Sequence, residues 1–323
     1  MSAPESKFRM QVIVAFALVY VLWGSTYIGI AIAVRNIPPL MMGASRFIVA
    51  GFLMLAWRKA TGNSIALPRR DMFRLTVIGC LLLTTGNVVL GLAETMIASG
   101  LSALLIAITP LWFLLLERFF FAKNDRIAPR GLFGIALGIV GVIVLLWPDL
   151  TGSVRMGHRE LVGAGLVLFS SMSWATGSVL SKRWHVGADP YTASGWEMLN
   201  AGLINLLLAL LFGDQHRTVW ERHSVAAIIY LVIAGSLIGF TAYVWLLRNV
   251  PTPKVATYAY VNPIVAMLLG WLIMGERFTP YIFAGAAVVL ASIVLVTGAK
   301  SHQASDTDEP GEEQLPACET TGD

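Results

Sequence analysis

Two ionisable residues stand deep inside long apolar runs, Arg46 and Glu197. An unpaired charge at the centre of a membrane helix costs roughly 2.5–3.5 kcal/mol on insertion scales, so each must face protein or water. The planar fork of Arg46 suits the two oxygens of a carboxylate or a similar anionic group. Glu197 suits an amine or a coupling proton. Depth disfavours a salt bridge between them: Arg46 lies seven residues past Pro39, and Glu197 seven past Pro190 on a helix entered from the other side. In a core of about 30 Å that leaves roughly 10 Å between them. Both are expected to line one central cavity, with local satisfaction by backbone or hydroxyl groups as the plainer alternative.

Other candidates for a cavity wall share a polar edge on an apolar body. Tyr27 and Trp174 belong to two parallel stretches, Trp23-Gly24-Ser25-Thr26-Tyr27 and Trp174-Ala175-Thr176-Gly177-Ser178. Their small and hydroxyl residues equally serve close helix packing. Asn87, with Thr84 and Thr85 just before it, and Tyr258, Tyr260 and Asn262 complete the expected substrate-binding set. Pro110 and Pro263 each remove a mid-span hydrogen bond, and are expected to act as static kinks or as hinges. Glu94 and Glu117 fall near span ends, where a solvated charge is expected. The spacing of Gly131, Gly134, Gly138 and Gly141 predicts a smooth helix face for packing within the protomer or at a homodimer seam.

The elements that must hold these residues are membrane spans. Of 323 residues, 56% are apolar and 13% charged, where a soluble domain carries nearer a quarter charged. The net charge of +4 averages two unlike regions: residues 301–323 hold seven acids and no Lys or Arg, which leaves the rest at +11. The basic groups are scattered over short loops and form no continuous patch, so nucleic acid is not an expected partner. With about 20 apolar residues needed per crossing, the pattern predicts ten spans, at roughly 10–34, 39–57, 73–93, 99–117, 131–147, 162–181, 191–212, 225–247, 255–274 and 280–298. Ala31-Ile32-Ala33 imitates a signal cleavage site, but the apolar stretch before it is far longer than the core of a signal peptide. With both termini inside, 16 basic residues fall on the cytoplasmic side and six outside, a positive-inside pattern.

Displacing the sequence by 151 residues aligns Trp23 with Trp174, Pro39 with Pro190, Arg46 with Glu197 and Asp125-Arg126 with Glu276-Arg277; Pro110 meets Pro263 at 153. Each unit has five helices, an odd number, so the second enters from the opposite face. The expected fold is therefore all-α: ten transmembrane helices as two inverted five-helix repeats, an architecture that places a substrate site near the midplane between the repeats. The division expected is 1–9 as a cytoplasmic N-terminus, 10–148 and 162–298 as repeats, 149–161 as a periplasmic linker and 299–323 as a disordered acidic tail.

The motifs at Trp23–Tyr27, at Pro38-Pro39-Leu40-Met41-Met42 leading to Arg46, at Glu94 before Ser99-Gly100, at Tyr258–Pro263 and at Gly275-Glu276 resemble the EamA-type permeases of the drug/metabolite transporter superfamily. The resemblance covers residues 10–298. It implies a cavity formed by spans one to four and six to nine, and secondary movement, often export, of amino acids or related metabolites across a bacterial inner membrane. Two departures narrow it: no acid stands in the first span, as in four-helix cation exchangers, and no intramembrane lysine, as in sugar-phosphate carriers. Asp125 supplies the acid that Lys123 does not.

Rival classes find less support. No Gly-x-x-x-x-Gly-Lys-Ser/Thr loop is present to bind nucleotide. No span contains His, no cysteine or histidine pattern suggests a metal or other cofactor, and no reactive group has a partner base, so an enzyme is not expected. Cys80 in an apolar run and Cys318 in the tail are not expected to pair. Proton coupling or exchange is expected to drive transport by alternating access. The alternative is a membrane-embedded ligand sensor acting through a partner protein.

Overall fold

The computed structural model describes residues 3–121, 129–145, 147, 158–255 and 257–292. No strand occurs among them. The main helices run in the order α1 (Ser6–Ala33), α2 (Pro39–Ala60), α3 (Arg69–Ala93), α4 (Ser99–Ile106 resuming at Thr109–Phe121), α5 (Pro129–Leu145), α6 (His158–Arg183), α7 (Pro190–Leu211), α8 (Arg222–Asn249), α9 (Tyr258–Leu269, continued by a wider turn at Gly270–Met274) and α10 (Pro280–Ser292). Six of them, α1 to α3 and α6 to α8, are long and apolar enough to cross a membrane; α4, α9 and α10 hold shorter apolar helices.

Burial follows the logic of lipid as solvent. Phe52, Leu207, Leu211 and Trp271 point outward, whereas Ser170, Ser171, Ser194 and Asn205 are buried. Small polar side chains let helices approach closely where water is excluded. Helix starts obey local chemistry: Pro39 and Pro190 occupy first turns, where the missing N–H costs nothing. The side chain of Asp189 caps α7 by accepting from the N–H groups of Tyr191 and Thr192.

The two halves meet where α2 packs along α7. A Cβ on Gly51 would lie 2.5 Å from the Leu199 nitrogen, and one on Gly202 would lie 2.6 Å from the Ile48 nitrogen. Gly51 and Gly202 are 151 residues apart, as are Ile48 and Leu199. The same contact is thus made twice, with the partners exchanged. A second reciprocity lies in α3 and α8, which both widen into π-helical turns, at Cys80–Val88 and Leu231–Phe240. Gly86 in the first turn faces Trp174, and Gly239 in the second faces Trp23. The sequence pattern did not announce these wide turns.

α4 is interrupted at Ala107–Ile108, just before Pro110, whereas α9 runs through Pro263 without a break. Of the glycines on the fifth span, Gly138 packs on Leu111 and Ser292 and Gly141 on Val289, so both serve α4 and α10 of the same protomer. Glu117 keeps its backbone in α4, but its side chain lies outside the described residues, as do Lys123, Asp125 and Cys318.

Candidate functional site

A cavity lies between α1, α2, α3, α4, α6, α8 and α9. Its wall includes Tyr27, Arg46, Asn87, Trp174, Tyr258 and Asn262, brought together from five helices and both halves of the sequence. Helical periodicity explains how α1 and α3 contribute: Trp23, Tyr27 and Ile30 share one face of α1, and Leu83, Asn87 and Leu90 one face of α3. Tyr260 lies in α9, but its side chain is outside the described residues. Of the prolines, Pro110 follows the wall residue Thr109, and Pro263 follows Asn262.

Arg46 is 4% exposed. Its Nε donates to Ser236 Oγ at 2.9 Å and its Nη1 to Asn87 Oδ1 at 3.1 Å. The guanidinium carbon stands 4.8 Å from the centre of the Phe47 ring. A Cβ at residue 235 would lie 2.6 Å from Nη2, so Gly235 is what lets the guanidinium lie against α8. Among the described residues no ion pair joins Arg46 to an acid. A guanidinium has five N–H donors, and neutral acceptors engage only part of that fork.

Beside the cation stands an aromatic cluster. Trp23 packs edge-on against Trp174, with centroids 5.3 Å apart, and edge-on against Tyr258 at 5.5 Å. Tyr243 fills the space between, 4.7 Å from Trp23 and 5.5 Å from Trp174. Its hydroxyl accepts from Trp174 Nε1 at 3.1 Å and hydrogen-bonds with Ser178 Oγ at 2.7 Å. Trp23 Nε1 donates to the Gly235 carbonyl at 3.2 Å. With its amide turned so that nitrogen faces oxygen, Asn262 donates to the carbonyls of Tyr20 and Tyr258 at 3.1 and 3.2 Å.

Glu197 is not brought to this wall. It is 1% exposed, and its Oε2 has no hydrogen-bond partner among the described residues. The backbone of the same residue closes on α3 at Gly79, where a Cβ would meet the Glu197 carbonyl at 2.5 Å. Arg46 lines the cavity, and Glu197 is not among its lining residues. Sequence reasoning also passed over Ser236, Phe240 and Tyr243 on α8. The signal was a Gly-Ser pair interrupting an apolar run.

At the end of the bundle near Arg35, a turn between α9 and α10 supplies a second polar feature. Gly275 adopts a left-handed φ of 66°, and this folds Glu276 back onto the start of α4. Glu276 Oε1 accepts from the Ser99 N–H at 2.9 Å and the Ser99 hydroxyl at 2.6 Å, while Oε2 accepts from the Gly100 N–H at 3.2 Å. A carboxylate from one half of the chain thus caps a helix of the other. Glu94, expected to be solvated, is 8% exposed instead.

The model of the EamA-like transporter family matches residues 10–147 and again 161–298. The chain belongs to the EamA-like transporter family. This EamA-like protein is 37% identical over 283 residues to a protein of Escherichia coli strain K12 named "Uncharacterized inner membrane transporter YedA", covering 87% of this chain and 89% of the relative. It is 26% identical over 288 residues to a "Probable amino-acid metabolite efflux pump" of Salmonella typhimurium strain LT2, covering 86% and 92%. A crystal structure at 19% identity aligns with a TM-score of 0.65, over 92% of this chain and 99% of that one; that likeness speaks to fold alone. The EamA-like chain is a membrane transporter of the drug/metabolite transporter superfamily with helical membrane-spanning segments.

Proposed function

We propose that this protein is a secondary transporter of ten spans, arranged as inverted repeats over 10–148 and 162–298, that exports small metabolites carrying an anionic group across a bacterial inner membrane. Amino acids and related compounds are the substrate class. The observation that carries this reading is Arg46, a buried guanidinium on the cavity wall that is paired with no acid among the described residues. Its free donors take the carboxylate of the substrate. Trp23, Trp174 and Tyr258 cover the apolar part, and Tyr27, Asn87 and Asn262 fix orientation. Walls built from aromatic groups with a few polar ones are typical of small-molecule sites.

The reciprocal contacts at Gly51 and Gly202, and at Gly86 and Gly239, support the inverted repeat, since a two-fold related interface uses the same pair twice. Charge asymmetry supports an orientation with both termini cytoplasmic. The end bearing Arg35, Glu94 and Glu276 is then extracytoplasmic. Alternating access moves substrate from one face to the other, with Pro110 and Pro263 as bending points and Glu197 as a coupling group behind the cavity wall. The name of the Salmonella relative favours export.

The test is mass spectrometry of the medium from cells that overproduce wild type or Arg46→Gln at matched membrane levels. A compound class accumulating outside only with wild type names the substrate and supports export. Identical media across a broad metabolite panel would sink the exporter reading.

A further inference from the structure

Glu94 follows the last residue of α3, and among the described residues neither of its buried carboxyl oxygens has a hydrogen-bond partner. Guanidiniums stand close by and are turned elsewhere. Arg35 gives Nη2 to the Met274 sulfur at 3.4 Å, and Arg159 gives Nη2 to the Thr95 carbonyl at 2.9 Å. The titratable groups on the elements packed here are Tyr27 and Arg35 from α1 and the turn after it, His158, Arg159 and Glu160 from the start of α6, and Glu276 and Arg277 from the α9–α10 turn. α4 presents none nearby, only Ser99, which is already bonded to Glu276.

An ionised carboxylate buried without a donor costs several kcal/mol, whereas the neutral acid is tolerated. Burial first, and the Glu276 charge second, push the Glu94 carboxyl well above the usual carboxylate range. Its position adds the geometric half of the argument. Asn87, Leu90 and Glu94 recur on one face of α3. The first two line the central cavity, and Glu94 lines a separate vestibule together with Arg35, Arg159 and Glu276. The acid therefore sits on the partition between the cavity and the extracytoplasmic opening.

We propose that Glu94 is a proton-binding site at the extracytoplasmic mouth, holding one proton in the conformation seen here and exchanging it with water of the vestibule when the α3–α4 corner opens. On opening, the acid O–H proton passes to water and the carboxylate left behind is taken by the guanidinium of Arg35 or Arg159. The inference deepens the transporter reading and rests on its orientation, since it makes Glu94 the outer partner of the coupling group Glu197.

Infrared titration of the full chain in lipid nanodiscs tests it without any substrate, so its failure is distinct from failure of the export assay. At neutral pH, wild type and Glu197→Gln should both show a protonated-carboxyl stretch that Glu94→Gln lacks, and the band should bleach only under alkaline conditions. Superimposable spectra from wild type and Glu94→Gln would overturn the proposal. Should the variant fail to fold, wild type carries the test alone. A protonated carboxylic acid in apolar surroundings adds to dicyclohexylcarbodiimide, its proton passing to nitrogen as its oxygen bonds the central carbon, and peptide mapping should find the adduct on Glu94 with a yield that falls as pH rises. No adduct at Glu94 at any pH would equally overturn it.

Discussion

Arg46 Nη1 donates to Asn87 Oδ1 at 3.1 Å, which ties the charge of α2 to α3. With Ser236 on the other flank, the guanidinium plane is held while the rest of its fork stays available.

Arg46→Lys keeps the charge and loses the fork, and at a bidentate site that exchange is not conservative. Hydrogen bonds to charged groups contribute about 1.5–3 kcal/mol. The apparent affinity for the transported compound should therefore drop roughly ten- to hundredfold in Arg46→Lys, measured as the concentration dependence of transport in proteoliposomes. Asn87→Ala should weaken it in the same direction and by less. Wild-type affinity in Arg46→Lys would show that the fork does not grip substrate.

The wide turns of α3 and α8 make a graded prediction about stability. A methyl at residue 239 would stand 2.6 Å from Trp23 Nε1, while one at residue 86 would stand 3.1 Å from Trp174 Cε3. Both rings are rigid and packed, so overfilling costs about 1–3 kcal/mol. Gly239→Ala should lower the unfolding midpoint in detergent more than Gly86→Ala. The reverse order, or two unchanged midpoints, would mean that the tryptophans are not seated on these glycines.

The hydropathy pattern was enough to place the long helices, because a run of apolar residues has one favourable environment and one favourable backbone in it. Pro39 and Pro190 marked helix starts for a reason local to the chain, the absent N–H. Arg46 drew attention because its cost in lipid demands a polar setting, and the cavity wall holds it. Glu94 and Glu197 were harder. Whether an acid is solvated or sealed depends on which neighbours close over it, and α6 and the α9–α10 turn come from far along the sequence. The wide turns of α3 and α8 were invisible for a related reason: one extra residue per turn leaves composition unchanged. Tyr243 shows the same limit, since an aromatic residue in an apolar span reads alike whether it faces lipid, core or a cavity.

Asp189 gives a pH dependence with a definite sign. Partial burial pushes its carboxyl up, but bonds from the Thr192 hydroxyl and N–H, and the Arg58 guanidinium at 3.0 Å, outweigh that and hold it below the usual carboxylate value. A depressed pKa adds stability above the ordinary carboxylate pKa that is lost as pH falls through the lowered one. Thermal unfolding of wild type should weaken at acid pH, with Asp189→Ala less stable at neutral pH by about 0.5–2 kcal/mol through loss of the helix cap. The gap between the two should narrow on acidification. A gap that stays constant with pH would exclude Asp189 as its source.

The crossing of α2 and α7 has a mechanical consequence. Gly51 and Gly202 bring backbone against backbone, so no side-chain rotamer is available there to absorb sliding. Seven residues further along α2, about 10 Å by helix rise, Arg58 is bridged to Asp189 at the head of α7. Two fastenings at different heights resist rotation as well as translation, and together they make the pair a post rather than a joint. On the alternating-access cycle proposed above, the remaining helices would bend around this post, and flexure of α3, α4, α8 and α9, rather than a parting of the two halves, would set the space that a substrate crosses.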